Sequence, residues 1–446
     1  MKPMQFPKWL LRKLDGLQGS RRHVLLLAGG SAAAQAIGIV TLILSTRFFG
    51  ATSYGYAATF IGLVGMVAPF AALRYDLAIV IADTEHEASV MFWLCLVLSM
   101  VIAVLSAVLI AVIVGVLAVP PYAEMGWTVM LAALLILGQG ITNTLTAWNN
   151  RLRLYRPIVW QRVLCSIASL VVVAIFAVLH RTEWMQLALS MLIATGFGLF
   201  VLATAIHRGG HLPSISGVGL SSLWSQARRH AQFPLYNLPM TAMDQITAGL
   251  PIPFLAASFG PAVAANYALA NNVLRAPASW VSGAVGQVFF ERASRSRHDR
   301  QSLRSLLHRS IRTLFLIFIL PAALLLLTTP WLFPGVFGPS YGEAGHFAQA
   351  MLPLVFLGCL FSPVSTLPSV LGRQGTHLAF SSVACAGRVL AIPLASYYQS
   401  PMLLVAVMVS IESVTSLAFA TWIFFLVRPP DDTPDAVNEK GRADLV

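Results

Sequence analysis

Three arginines stand inside long apolar stretches, where a positive charge is costly: Arg74, Arg275 and Arg388. On insertion scales, a charged side chain at the centre of a bilayer costs about 2.5–3.5 kcal/mol. Each guanidinium therefore needs an anion, a carboxylate or water beside it. Because a guanidinium donates paired hydrogen bonds to phosphate oxygens, all three are candidate binding residues for an anionic substrate. The alternative for Arg275 is a structural salt bridge between helices. For Arg74 it is snorkelling to the nearby cytoplasmic end of its span, and for Arg388 it is tight helix packing beside small residues.

Amide side chains accompany one of these arginines. Asn271 and Asn272 precede Arg275 by about one helical turn, so two of the three side chains can face the same side of a helix. Amides offer hydrogen-bond partners to sugar hydroxyls, which makes this segment a candidate substrate-binding site. Asparagine also joins helices by hydrogen bonds, and that is the structural alternative. Other amides in apolar stretches are Gln35, Gln139, Asn143, Asn237, Gln245 and Asn266.

Two carboxylates, Asp244 and Glu412, lie near the middle of apolar stretches. Either is a candidate for coupling transport to a proton or cation, and either could instead be the counter-ion of Arg275. All ten histidines fall in predicted loops, tails or edges of these stretches, so we expect none in an intramembrane acid–base or metal site. The four cysteines lack CxxC spacing, and HExxH, GxSxG and Walker motifs are absent. We therefore predict no metal, no cofactor and no enzymatic activity.

These residues must be positioned by membrane helices. Mean hydropathy is +0.76 and only 10% of residues are charged, against about 25% in soluble domains. A crossing helix needs about 20 apolar residues, and backbone groups in lipid must pair internally, so long apolar runs become helices. Twelve such spans are predicted, at 24–48, 54–81, 89–114, 124–147, 156–179, 184–206, 232–258, 262–290, 309–334, 347–371, 376–399 and 402–427.

The basic residues predict how the chain is oriented. All but five of the 29 Lys and Arg residues lie in every second gap between spans, in the tails or on the adjoining flanks. The exceptions are Arg47, Arg181 and the three intramembrane arginines. Since cytoplasmic loops collect Lys and Arg, both termini are predicted to be cytoplasmic. This bias also accounts for the net charge of +12 without a nucleic-acid partner, and anionic membrane lipids are the expected neighbours.

The segment 207–231 divides the predicted spans into two sets of six. The predicted organisation is a basic cytoplasmic arm (1–23), a first six-helix lobe (24–206), a cytoplasmic linker (207–231), a second lobe (232–427) and a disordered cytoplasmic tail (428–446). Phe49-Gly50-Ala51 and Phe259-Gly260-Pro261 close equivalent spans, and Pro69 and Pro277 are expected to bend the spans that follow. Repeated halves predict a substrate cavity between them and alternating access.

The densest basic stretch comprises Arg292, Arg295, Arg297, Arg300, Arg304, Arg309 and Arg312. A cluster of this kind at the end of a span can recruit anionic lipid or a phosphorylated headgroup. Ordinary anchoring at the cytoplasmic surface is the alternative.

Several segments together resemble a known family. They are Gly50 to Tyr56, Leu73 to Val80, Gly260 to Tyr267, Arg275-Ala276-Pro277, Gly286 to Phe290, Phe337 to Ala344 and Leu371 to Gly375. In these segments the chain resembles the polysaccharide-biosynthesis flippases, the Wzx-type lipopolysaccharide and O-antigen translocases of the MATE-like MOP superfamily. The matches are spread over nearly the whole chain.

The resemblance implies an all-α polytopic membrane protein of the bacterial inner membrane, with twelve helices in two six-helix lobes. It implies a flippase for an undecaprenyl-pyrophosphate-linked oligosaccharide, in lipopolysaccharide, O-antigen or exopolysaccharide biosynthesis. A polysaccharide polymerase and a chain-length regulator would be partners. Related peptidoglycan-precursor flippases keep cavity arginines; their arginine in span 8 would fall at Asn272 here, with Arg275 about one turn later.

Three other readings are open. A MATE-type multidrug or small-solute antiporter would favour a cavity dominated by carboxylates, whereas three arginines are buried here. A polymerase or ligase would need a sizeable periplasmic loop, and no predicted loop on that side is long enough. If the protein were a non-catalytic scaffold of the assembly complex, the buried arginines would be dispensable for its role.

Overall fold

The computed structural model describes residues 19–295, 299–362, 364–371 and 373–427. Within that part of the chain the regular structure is helical, with no strand. Most of the predicted arm 1–23 and all of the predicted tail 428–446 lie outside the described residues. The first eight helices are α1 Gly19–Val67, α2 Asp76–Ile81, α3 Glu85–Gly115, α4 Tyr122–Met125, α5 Leu131–Arg151, α6 Tyr155–Val178, α7 Trp184–Arg208 and α8 Leu220–Arg229. The other eight are α9 Gln232–Gly249, α10 Pro251–Phe259, α11 Pro261–Arg295, α12 Arg300–Phe337, α13 Gly342–Phe361, α14 Leu367–Val370, α15 Gln374–Tyr398 and α16 Pro401–Leu426.

Each of the twelve predicted spans is mostly helical in the described residues, and the all-α membrane fold is confirmed. Eight helices in the described residues are long and apolar enough to cross a membrane. One of these, Gly29–Phe70, contains most of the first span and most of the second, and the backbone leaves helical geometry between them at Gly50. Predicted spans 7, 8 and 11 are helical too: α9 and α10 form the seventh, α11 the eighth and α15 the eleventh.

Span 2 is not the continuous helix that its hydropathy predicts. The helix ends at Val67, a 3-10 turn follows at Ala68–Phe70, and α2 begins only at Asp76. Pro69 therefore lies at a break and not at a bend. Between the two helical pieces, Leu73 (φ 46°) and Arg74 (φ 63°) adopt left-handed backbone conformations. Such conformations cost about 1–2 kcal/mol for a side-chain-bearing residue, so the surroundings must hold this segment in place.

The chain forms two compact units, one ending at Ala242 and the other starting at Met243. In the first unit, α1 packs along α6, and α5 packs on both α3 and α7. Its main core lies around the fully buried Trp148, which meets Phe92 edge to face with ring centroids 5.4 Å apart. The short helix α8 packs on α3 and adds Leu223 and Ala227 to this core.

In the second unit, α13 packs on α11, α12 and α16, and α15 packs on α16. Gly345 makes the contact with α12 possible, since a Cβ there would lie 2.6 Å from the carbonyl oxygen of Thr329. Asp299 fixes the start of α12, because its carboxylate accepts hydrogen bonds from the backbone of Gln301 and Ser302 and from the Ser302 hydroxyl. The bonds from Ser302 are the main reason that the pKa of this carboxyl lies below its usual value.

Gly50 provides a test of the turn between the first two crossings. Its backbone (φ 71°, ψ 166°) lies in a region that is open almost only to glycine. We expect Gly50→Ala to lose about 1–3 kcal/mol of stability and to lower the thermal unfolding midpoint in detergent. Gly65→Ala is the matched control, because Gly65 is helical and a Cβ there meets nothing within 4 Å. An equal response from both variants would contradict this account of the turn.

Candidate functional site

In the first unit, the break in span 2 presents the predicted site residue Arg74. Its guanidinium is partly buried, and its Nε atom is buried with no hydrogen-bond partner among the described residues. The charge of Arg74 acts on the carboxyl of Asp76, so the break carries both signs of charge. Irregular backbone at membrane depth is tolerated only inside protein or beside a water-filled cavity. Discontinuous membrane helices of this kind form substrate sites in transporters.

The break is held by bonds that hydropathy does not reveal. The Tyr75 hydroxyl donates to the carbonyl of Ala227 in α8 at 2.9 Å. The Arg151 guanidinium donates to the carbonyls of Ile79 at 3.0 Å and Ala82 at 2.7 Å, just where α2 ends. Those carbonyls lack helical partners, so Arg151 satisfies the end of the broken helix. From the sequence, Arg151 counted only as one of the basic residues beside a span.

A charged cluster fastens the segment that follows α8 to the same region. The carboxylate of Glu87 is almost fully buried and lies 2.8 Å from the imidazole Nε2 of His230. Arg229 lies 3.4 Å from Glu87 and 3.6 Å from Asp83. Together with Tyr75, these contacts tie the linker helix to the loop after the broken span.

In the second unit, Arg388 and Glu412 form an ion pair between α15 and α16. The side chain of Arg388 is 8% exposed and that of Glu412 21% exposed, so the pair is largely removed from solvent. Glu412 was predicted either to couple transport or to be the counter-ion of Arg275. Its partner in the structure is Arg388.

Arg275 differs from Arg388 in its surroundings. It lies near the middle of α11, it is exposed, and it makes no ion pair with a described carboxylate. Its positive charge acts on Arg388, which lies in the same unit. Asn272 is exposed on the same turn, and Asn271 is partly buried. Arg275 is therefore a cation in an apolar helix that no described acidic residue neutralises.

Not every amide in the apolar spans is available to a ligand. Asn266 is buried, and its side-chain oxygen accepts from the backbone N–H of Ala344 at 2.9 Å while its amide nitrogen donates to Ala262. This residue joins α11 to the start of α13, the structural role that was the alternative for such amides.

A cavity of about 300 Å³ in the second unit brings together Asp244 from α9 and Glu412 from α16. His377 of α15 lines the same cavity, and the charges of Asp244 and His377 act on each other. His377 lies in the first turn of α15, at the edge of its span, as the sequence predicted for every histidine outside the loops and tails. In the folded chain this turn lines the same cavity as Asp244 and Glu412. The remaining polar lining is Ser362, Ser365, Ser381, Thr415 and Ser416.

The chemistry of this cavity suits a proton or a single hydrated cation. Carboxylate, imidazole and hydroxyl groups surround it, but one carboxylate is already paired with Arg388. Among the described residues there is no group of three or more His, Cys, Asp or Glu side chains that could hold a metal ion. Asp244 is the carboxylate of this cavity that is not paired with Arg388.

The fold has counterparts among solved membrane transporters. The lipid II flippase MurJ, in an inward closed conformation, is similar with a TM-score of 0.70 at 12% identity, over 91% of this chain and 88% of that one. A MATE transporter in complex with MaL6 is similar with a TM-score of 0.62 at 12% identity, over 91% and 96%. A MOP superfamily transporter from Pyrococcus furiosus is similar with a TM-score of 0.54 at 14% identity, over 91% and 95%. The chain thus has the fold shared by MurJ and the MATE transporters.

A narrower assignment comes from the family model described as polysaccharide biosynthesis protein, which matches residues 43–345. The chain belongs to this family, and the resemblance inferred from its sequence segments is confirmed. No curated protein sequence matches the chain.

The ion pair between α15 and α16 predicts a clear pattern of stability. We expect Glu412→Gln and Arg388→Gln each to cost about 3 kcal/mol, because each leaves one charge buried and unpaired. The double variant should lose less stability than the sum of the two single losses, because it leaves neither charge buried without its partner. Thermal unfolding in one detergent, arranged as a double-mutant cycle, measures the difference. Additive losses would show that the two side chains do not depend on each other.

Proposed function

We propose that the protein is a flippase for an undecaprenyl-pyrophosphate-linked oligosaccharide. It would carry this substrate across the bacterial inner membrane by alternating access, in lipopolysaccharide, O-antigen or exopolysaccharide biosynthesis. Family membership supports a role in polysaccharide biosynthesis, and the likeness to a lipid II flippase supports the handling of a lipid-linked sugar. The observation that carries the proposal is Arg275, a cation in a membrane helix without an acidic partner among the described residues.

The substrate presents a charged pyrophosphate to a membrane whose hydrocarbon core is about 30 Å thick. A guanidinium can replace part of the hydration of that pyrophosphate with paired, charge-assisted hydrogen bonds. In the proposal Arg275 supplies these bonds in the second unit, and Asn271 and Asn272 hold sugar hydroxyls beside it. The polyprenyl tail stays in lipid, and no covalent bond changes.

Arg74 is proposed as the anion-binding residue of the first unit. Its buried Nε lacks a hydrogen-bond partner among the described residues, and its backbone lies in the left-handed region at the break. Arg388 was also a candidate for substrate binding. Because its guanidinium is paired with Glu412, we assign it to positioning α15 and α16.

Net transport can run downhill if enzymes on the far side of the membrane consume the product. Coupling to a proton or cation is a further part of the proposal, and Asp244 is the residue proposed for it. Asp244 faces His377 in a polar cavity, and binding of a cation there would change the charge between α9, α15 and α16. Membrane lipids, a polysaccharide polymerase and a chain-length regulator are proposed as partners.

A second candidate function is cation-coupled export of drugs or small solutes. The cavity lined by Asp244 and Glu412 favours it, since acidic groups attract cationic solutes. It predicts efflux of cationic dyes from intact cells, which the flippase proposal does not.

The flippase proposal is tested by transbilayer movement of a polyprenyl-pyrophosphate oligosaccharide in proteoliposomes. We expect Arg275→Ala to slow movement by about tenfold or more, because hydrogen bonds to charged groups contribute about 1.5–3 kcal/mol. Arg275→Lys keeps the charge but loses the paired donors, and an intermediate rate is expected. Arg312→Ala is the control for net charge on an exposed helix surface. Unchanged movement in Arg275→Ala, at equal expression, would remove Arg275 from the mechanism.

Coupling is tested by Asp244→Asn in the same vesicles with an imposed proton or sodium gradient. In this variant the gradient should no longer accelerate substrate movement, because the neutral side chain cannot bind and release the coupling ion. Downhill movement without a gradient should continue. Ser381→Ala changes the same cavity without altering its charge and should keep the acceleration. A gradient effect that survives in Asp244→Asn would exclude this residue from coupling.

A further inference from the structure

A second cavity of the second unit combines basic and apolar walls. It has a volume of about 390 Å³ and lies between α11 and α12. Arg292 and Arg309 line it together with the hydroxyl-bearing Ser310 and Thr313. Val285, Phe289 and Leu306 supply the apolar wall. A volume of this size is typical of small-molecule sites, and the mixed lining suits an amphiphile with an anionic head.

The two guanidiniums in this cavity are available to a ligand. Both side chains are exposed, and neither makes an ion pair with a described carboxylate. They come from different helices and meet at one cavity, so a phosphate group could accept from both at once. Two guanidiniums that line one cavity can bind the same phosphate group, which basic residues spread along a loop cannot do.

The surface of α12 beyond the cavity is apolar and exposed along one continuous stripe. From Thr313 it runs through Leu316, Leu320, Leu324 and Leu327 to Trp331. Leu320 is 75% exposed and Trp331 77% exposed, which is the condition expected of side chains that face lipid. Trp331 follows Arg309 by 22 residues, or about 33 Å at 1.5 Å per residue, close to the thickness of the hydrocarbon core. Arg309 therefore sits at headgroup depth when the stripe lies in the acyl region.

We propose that this cavity binds the phosphate headgroup of an anionic phospholipid from the leaflet on the side predicted to be cytoplasmic. Arg292 and Arg309 hold the phosphate, Ser310 and Thr313 flank it, and the acyl chains lie along the leucine stripe of α12. The site is separate from Arg275 and needs no transport activity. Two arginines of the basic cluster thus form a defined lipid site and do more than attract anionic lipid to the surface.

Native mass spectrometry of the full-length protein, titrated with phosphatidylglycerol in detergent, tests this proposal. Arg309→Gln and Arg292→Gln should each weaken binding about fivefold, the effect of losing one basic residue at a membrane surface. Arg312→Gln is the matched control: it is exposed on the same helix one turn from Arg309 and does not line the cavity. Equal losses in Arg309→Gln and Arg312→Gln would indicate diffuse charge attraction and overturn the proposal.

A second variant separates a lipid site from a phosphate site. Thr313→Trp fills the cavity mouth from an exposed position and should reduce phosphatidylglycerol binding without unfolding the protein. Phosphatidylcholine should bind more weakly, because its cationic headgroup meets two guanidiniums. Displacement of the lipid by inorganic phosphate at equal concentration would assign the cavity to free phosphate and overturn the proposal.

The remaining comparison is with undecaprenyl pyrophosphate. If it displaces phosphatidylglycerol at a lower concentration than a second phospholipid does, the cavity serves the transported substrate and the assignment to a bilayer lipid is wrong. Equal or weaker competition supports a resident phospholipid. Because binding is measured without transport, its outcome is independent of the Arg275 experiment.

Discussion

The central constraint on this protein is that hydrocarbon offers no partner to a charge or to a free backbone group. Each polar group that the helices carry into the membrane must find its partner in the protein, in trapped water or in a ligand. The structure meets this constraint in three ways. Arg388 takes Glu412 as its partner. The end of the broken span takes Arg151. Arg275 pairs with no described carboxylate, which is why we propose it as the cation that binds the substrate.

The same constraint explains why the break in span 2 needs support from other helices of the first unit. A helix that stops after Val67 and restarts at Asp76 gives up hydrogen bonds that an unbroken helix would make. The Tyr75 hydroxyl reaches α8 for a partner, and the Arg151 guanidinium reaches the carbonyls after α2. The segment that presents Arg74 is therefore fixed by residues from α5 and α8. The backbone conformation around Arg74 therefore depends on contacts with residues that are distant in the sequence.

The sequence alone was sufficient to place the apolar helical spans, because apolar length and backbone pairing dictate them locally. It was also sufficient to single out Arg74, Arg275 and Arg388 as costly charges. It could not decide which acid meets which arginine, since Glu412 is far from both candidates along the chain. Nor could it show the break at Leu73 and Arg74, because Pro69 indicated only a bend and the residues that follow it include no glycine. His377 was missed because a residue at a span edge can turn either inward or outward, and packing alone decides.

One consequence concerns the exposed segment between α7 and α8. It is pinned at two points, since Trp148 donates to the carbonyl of His211 and Trp93 to that of Ser214. Beyond it, α8 is docked on α3, and His230 meets Glu87. Both sides of the exposed Ser216–Gly217 turn are thus anchored to helices of the first unit. An epitope or a fluorescent domain could be inserted at that turn, or the chain nicked there, with the flanking helices still retained in place.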